Sequence, residues 1–313
     1  MMKQTSISPL AWALMALLAL IWGGSFPSNR LALAEVGVLT TVAFRVALGA
    51  LLMWGVVALR GITRPRGLRV WAGFLGMGLL NNALPFTLIV WGQTRIDSGL
   101  AAILNAATAV LGVAVAAAVF RDERLGLRKG AGVLLGFTGV AVAIGIGALA
   151  RFDPGSLGQL AVLGAALSYA FAGALGRVTT RGMAPELAAA GMLTAAALVM
   201  VPAALLVEGP PPLHLAPATW GALAYLAVFA TAGAYVLYYR VMQLAGAGNL
   251  SLVTLLVAPV AIVIGAVMFH EALPLRAYLG FALLAAGLIV IDGRALRYWR
   301  PAQKSRDPAA GQG

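Results

Sequence analysis

The side chains able to do chemistry in this chain are amides, hydroxyls and aromatic rings set within long apolar stretches. Trp22 and Ser25 come first, with Pro27 after them. Asn81, Asn82, Phe86, Thr87, Trp91 and Gln93 share one stretch, and Asn105 and Thr108 share the next. Ser168, Tyr169 and Phe171 follow, then Thr231, Tyr235, Tyr238 and Tyr239, and last Asn249, Ser251 and Thr254. Such groups bind by hydrogen bonding and stacking. They suit a small zwitterion or an apolar side chain better than a polyanion. Catalysis would need a clustered acid, base, metal or nucleophile, and none is spelled out. Cys is absent, and the two histidines, His214 and His270, stand apart. The chain lacks the Gly-Lys dipeptide of a phosphate-binding loop, so no ATPase of its own is expected. The expectation is a non-enzyme with no cofactor and no metal.

These polar groups must be positioned by membrane helices. Of 313 residues, 61% are hydrophobic and 10% charged, against about 25% charged in an average soluble domain. A spanning helix needs about 20 mostly apolar residues. Ten windows qualify: 10–33, 38–60, 70–92, 98–120, 130–150, 157–177, 186–207, 218–240, 247–269 and 275–297. The expected fold is all-α, an integral membrane protein of ten transmembrane helices. Pro85 and Pro259 fall mid-window and predict bends, because each removes a backbone donor. The first window resembles a signal peptide, but Pro27, Asn29 and Arg30 interrupt the approach to its small-residue site. It reads as a retained helix.

The net charge of +12 would suit nucleic acid if it lay on one water-facing surface. Instead the basic residues form short clusters between apolar windows, as topology signals do. With the N-terminus inside, seventeen of the 22 Lys and Arg fall on the cytoplasmic side and four on the other. Both termini are therefore expected in the cytoplasm. Arg45 alone lies well inside a window, about 10 Å from the outer end of helix 2. It reads as a structural Arg that bonds helix carbonyls or snorkels outward, with attraction for a substrate carboxylate as the other reading. No Asp or Glu falls near the middle of a window, which predicts uniport or only weak ion coupling.

One stretch is written twice. At an offset of 148, Glu123, Leu125, Leu127, Arg128, Gly132, Leu135 and Gly139 meet Glu271, Leu273, Leu275, Arg276, Gly280, Leu283 and Gly287. Two halves follow, residues 1–150 and 151–300, with a polar tail at 301–313 expected to be disordered. Five spans per half is odd, so the second half would enter from the opposite side as an inverted-topology repeat. The two Glu-x-Leu turns read as matching joints, each fixing the entry to the fifth helix of its half. Small residues along helices 5 and 10 permit close contact, expected within the chain although a dimer surface is the other use.

Ile21-Trp22-Gly23-Gly24-Ser25-Phe26, Phe44-Arg45 and the turns at Glu123 and Glu271, taken with ten spans in two halves, resemble the EamA family of the drug/metabolite transporter superfamily. Within it the chain is most similar to bacterial aromatic amino acid exporters. The resemblance implies an inner-membrane exporter with a central cavity lined by helices 1, 3, 4, 6, 8 and 9, helices 5 and 10 being peripheral. The substrate-lining candidates on those helices are Trp22, Ser25, Asn81, Asn82, Phe86, Trp91, Asn105, Thr108, Tyr169, Phe171, Tyr235, Tyr239, Asn249 and Thr254. Each has a plainer reading. Trp91, Tyr238 and Tyr239 suit an interfacial belt, and Asn or Thr can simply join helices at about 0.6 kcal/mol per bond. The function expected is export of aromatic and other neutral amino acids by alternating access, by a monomer in a bacterial inner membrane. Export of drugs or other metabolites such as nucleosides is the alternative.

Overall fold

The computed structural model describes residues 8–65, 67–120, 126–144, 154–212, 214–245 and 252–292. Among them there is no strand. The helices, in order, are α1 (Pro9–Ala32), α2 (Val38–Leu59), α3 (Leu68–Gly92), α4 (Ser98–Val119), α5 (Leu127–Ile144), α6 (Pro154–Thr179), α7 (Pro185–Val207), α8 (Pro217–Ala245), α9 (Leu252–Phe269) and α10 (Leu275–Asp292). Seven candidate membrane spans, in α1 to α4 and α6 to α8, are long and apolar enough to cross a membrane. Shorter apolar segments, Gly130–Ala143, Leu256–Phe269 and Leu275–Ile291, lie in α5, α9 and α10. Glu123, Asn249, Ser251 and the tail at 301–313 lie outside the described residues.

Local sequence sets several helix starts. Ser8 caps α1, its Oγ accepting from the Ala11 N–H at 3.2 Å, and Pro9 takes the first turn, where no N–H is needed. Pro185 and Pro217 open α7 and α8 in the same way. α9 ends where His270 takes a left-handed φ of 54°, and the next N–H, of Glu271, reaches back to the Gly265 carbonyl at 3.3 Å. That reversal turns the Glu271 side chain back over the bundle.

Packing pairs the helices regularly. α2 lies against α7, and Trp54 Nε1 donates to Thr194 Oγ1 across that seam at 2.8 Å. α5 lies against α10, α1 against α9, and α4 against α6. The α5–α10 contact is closest where Gly132 faces the Gly287 backbone and Gly139 faces Gly280 and Leu284. The small residues of α5 and α10 thus meet one another within the chain. Three buried apolar clusters result among the described residues. One is built on α1, α4, α6 and α9 with α5, α8 and α10, the second on α2, α3 and α7, and a small third joins the end of α1 to the start of α8. Tyr169 on α6 packs against the first two.

Candidate functional site

Two helices widen near their middles. α3 makes a π turn over Leu79–Ala83, and α8 makes a longer one over Tyr225–Gly233. In α3 the cause is at hand: Pro85 has no N–H to give, so the helix cannot continue its regular ladder through this turn. The carbonyls loosened by a π turn need other donors. Ser168 Oγ on α6 donates to the Leu80 carbonyl at 2.7 Å, and Thr87 Oγ1 donates to the Ala83 carbonyl at 2.7 Å. In α8, Arg45 Nη2 donates to the Ala230 carbonyl at 3.3 Å. The two turns stand at matching positions, since adding 147 to Leu79–Ala83 lands on residues 226–230, inside the second.

A polar cluster ties the two turns together. Asn81 Nδ2 donates to the Tyr235 hydroxyl at 3.0 Å, and that hydroxyl donates to Asn82 Oδ1 at 2.8 Å. Asn82 is fully buried, and its Nδ2 has no partner. One turn along α8, Thr231 Oγ1 accepts from Arg45 Nε at 2.9 Å. One turn along α3, the Phe86 ring carries the Arg45 guanidinium over its face at 3.7 Å. Tyr235 stacks on Tyr239, which meets Tyr238 edge-on, and Tyr238 in turn packs against Trp22 with ring centroids 6.0 Å apart. Tyr169 and Tyr225 lie within electrostatic reach of Arg45.

The structure thus gathers Asn81, Asn82, Phe86, Tyr235 and Tyr239 into one cluster, with Tyr169 beside it and Trp22 reached through Tyr238. Arg45 belongs there too: it is 7% exposed, so it bonds a helix carbonyl but does not snorkel outward. Other candidates lie elsewhere. Phe171 is 45% exposed and stands on an outer stripe with Leu160, Leu167 and Val178. Helical spacing puts that stripe on the opposite side of α6 from the buried face, so Phe171 is not brought into the cluster. Trp91 sits at the end of α3 beneath the Arg95 guanidinium, about 13 Å along the helix from Asn82. Ser25 Oγ is used within its own helix, donating to the Trp22 carbonyl at 2.6 Å.

Thr108 Oγ1 donates to the Asn105 carbonyl at 2.7 Å where α4 is broken at Ala106 and Ala107, and Asn105 Oδ1 is buried without a partner. An open groove of about 230 Å³ runs between α4 and α6, with Thr108, Gly112, Tyr169 and Gly173 along it and Phe120 and Arg177 at one end. Of the expected lining residues it takes only Thr108 and Tyr169. Thr254 is half-buried on α9, and Asn249 falls outside the described residues. No group of three His, Asp or Glu able to hold a metal occurs among the described residues.

Sequence reasoning named Gln93 and Glu271 but missed the partners of both, in a second set of contacts. Buried Asn29 donates to Gln93 Oε1 at 2.9 Å, and Gln93 Nε2 donates to the Phe26 carbonyl and Ser98 Oγ. Three glutamates also cap helices of the other half. Glu35 accepts from the Ala216 N–H at 2.9 Å and from the Thr219 hydroxyl, at the start of α8. Glu208 accepts from the Leu39 and Thr40 N–H groups at 2.9 and 2.8 Å, at the start of α2. Glu271 accepts from the Ser98 and Gly99 N–H groups at 3.1 and 3.2 Å, at the start of α4, and pairs with Arg30. The joint expected of Glu271 within its own half is thereby corrected, since its partners lie on α1 and α4. The reason is the positive field at a helix start, which draws the carboxylate across the seam. Loops near residues 35, 97, 208 and 271 therefore meet at one end of the bundle. Arg60 and Glu186 pair elsewhere, joining the end of α2 to the start of α7.

A family model described as the EamA-like transporter family matches this chain twice, over residues 10–145 and 156–292. An "Uncharacterized transporter YvbV" of Bacillus subtilis (strain 168) is 26% identical over 90% of this chain and 91% of that protein. A "Probable terminal-alkyne amino-acid exporter" of Streptantibioticus cattleyicolor is 30% identical over 93% of this chain and 95% of that protein. One solved crystal structure superposes with a TM-score of 0.66 at 20% identity, covering 93% of this chain and 99% of that one, which is a likeness of fold.

Proposed function

Because the chain belongs to the EamA-like transporter family, we propose that it is a secondary transporter that exports aromatic and other neutral amino acids across a bacterial inner membrane. The observation that carries this reading is the cluster at the two π turns. Asn81, Asn82 and Tyr235 offer uncharged hydrogen-bonding groups beside the rings of Phe86, Tyr169 and Tyr239. Such a set binds a small amphiphile. The description of the Streptantibioticus relative as a "Probable terminal-alkyne amino-acid exporter" adds support.

Alternating access between inverted halves follows as the mechanism of this reading. Ten spans in two five-helix halves, 1–150 and 151–300, would be related by a two-fold axis in the membrane plane. The pairing supports it: exchanging the halves carries the α1–α9 pair onto the α6–α4 pair and leaves α2–α7 and α5–α10 unchanged. Both termini would lie in the cytoplasm. All described acidic residues lie near helix ends, in keeping with uniport or weak coupling. The working unit would be a single chain, since the small residues of α5 and α10 meet each other.

Proteoliposomes loaded with labelled amino acids, with unlabelled ones as competitors, test the function. Saturable flux with counterflow for phenylalanine, tyrosine or leucine is expected. Absence of saturable flux for every amino acid would overturn the reading.

A further inference from the structure

We infer that Arg45, with the free amide donor of Asn82 beside it, forms the subsite for the substrate's carboxylate. Arg45 is a cation buried within the bundle with no counter-ion among the described residues. Its partners among the described residues are the Thr231 hydroxyl, the Ala230 carbonyl and the Phe86 ring. Those two hydrogen bonds use two of the five N–H groups that a guanidinium carries. No described carboxylate is available to it. Glu35, Glu208 and Glu271 cap helix starts, Glu186 pairs with Arg60, and Asp97 lies 3.5 Å from Arg30. A buried charge left in that state is costly and marks a site where an anion arrives.

A second, independent observation points to the same place. Asn82 Nδ2 is a fully buried donor with no acceptor. Its own Oδ1 is held by Tyr235, and Arg45 is held by Thr231, four residues earlier on the same face of α8. On α3 the order repeats, with Asn82 and Phe86 also four apart. Two unfilled donors, one charged and one neutral, therefore stand about one helical turn apart. A carboxylate has two acceptor oxygens and one negative charge, which fits both. Thr231 and the Phe86 face hold the guanidinium plane so that its remaining N–H groups are free to receive it. An ammonium ion would add a second positive charge and a sugar hydroxyl would leave the first unanswered, so the subsite selects for acids over their decarboxylated counterparts.

The inference rests on the amino-acid export reading, and one experiment separates the two. In proteoliposomes, saturable flux of labelled phenylalanine is competed by unlabelled phenylalanine or by phenethylamine, which keeps the ring and the amine but lacks the carboxylate. Wild type is expected to favour phenylalanine at least tenfold. Arg45→Gln should raise the phenylalanine KM about tenfold and bring the preference below threefold, while phenethylamine still competes for the remaining flux. Arg45→Lys should restore part of the preference. If Arg45→Gln does not yield a monodisperse protein, Asn82→Leu and Thr231→Val serve instead, each expected to cut the preference at least threefold. Wild-type flux with an unaltered preference in the variants, or equal loss of both compounds, overturns the subsite alone. No amino-acid flux in wild type overturns the export reading and the subsite with it.

Discussion

The Tyr235 hydroxyl takes one hydrogen bond from Asn81 and gives one to Asn82, so its removal leaves buried Asn82 Oδ1 without a donor and Asn81 Nδ2 with only the weak Met192 Sδ acceptor. Tyr235→Phe should destabilise the protein by about 1–2 kcal/mol, since unmade buried hydrogen bonds cost about that each. Thermal unfolding in detergent should show a midpoint several degrees lower. Tyr239→Phe, whose ring stacks on Tyr235, should shift it less, because no hydrogen bond of its hydroxyl is present among the described residues. Asn81, Asn82 and Tyr235 could be picked from sequence because an amide or phenol in an apolar stretch is too costly to face lipid. Phe171 could not be placed the same way. An apolar helix offers no contrast between its faces, so a phenylalanine there reads alike inward or outward. Asn29 and Glu208 escaped notice because their partners, Gln93 and the start of α2, lie 64 and more than 160 residues away.

At the scale of the helix, two devices shape this protein: π turns and glycine crossings. The Pro85 signal was visible, and the sequence predicts a bend there; the structure makes a π turn just before it. The turn in α8 has no proline to announce it, and only the small run Ala230-Thr231-Ala232-Gly233 marks the place. The glycine crossings were legible from spacing, but their partner was not. A methyl group on Gly139 would come within 2.6 Å of the Leu284 nitrogen and the Gly280 carbonyl oxygen. Backbone cannot step aside, so Gly139→Ala should force α5 from α10 at a cost of about 1–3 kcal/mol. Gly55 on α2 faces open space, and Gly55→Ala should instead stabilise by about 0.5–1 kcal/mol through helix propensity alone. Paired melting curves check both signs. A Gly139→Ala variant as stable as wild type would mean that the crossing is looser than described.

Across the whole molecule, three carboxylates fasten one half to the other at a single end. Glu35 reaches from the first half to α8, while Glu208 and Glu271 reach from the second half to α2 and α4. Each bond sets a negative charge against the positive start of a helix, and charge-assisted bonds are roughly twice as strong as neutral ones. Glu271, with 3% of its side chain exposed, also holds Arg30, so its bonds are shielded from competing water. If the protein works by alternating access as proposed, opening at this end would break all three contacts together, and their combined strength would set how rarely it opens. The chain contains no Cys, so a single engineered thiol reports access without background. Ser25→Cys places that thiol in α1 at a site that is 7% exposed. A membrane-impermeant maleimide should label it slowly in an otherwise unaltered protein. Adding Glu208→Gln and Glu271→Gln keeps the shape of both side chains but removes both charges. Labelling should then accelerate at least fivefold, because each weakened cap and the lost Arg30 pair favour the open end. Equal labelling rates in the two backgrounds would show that this end is held shut by the apolar packing of α1 against α9, and that the carboxylates contribute little to the balance.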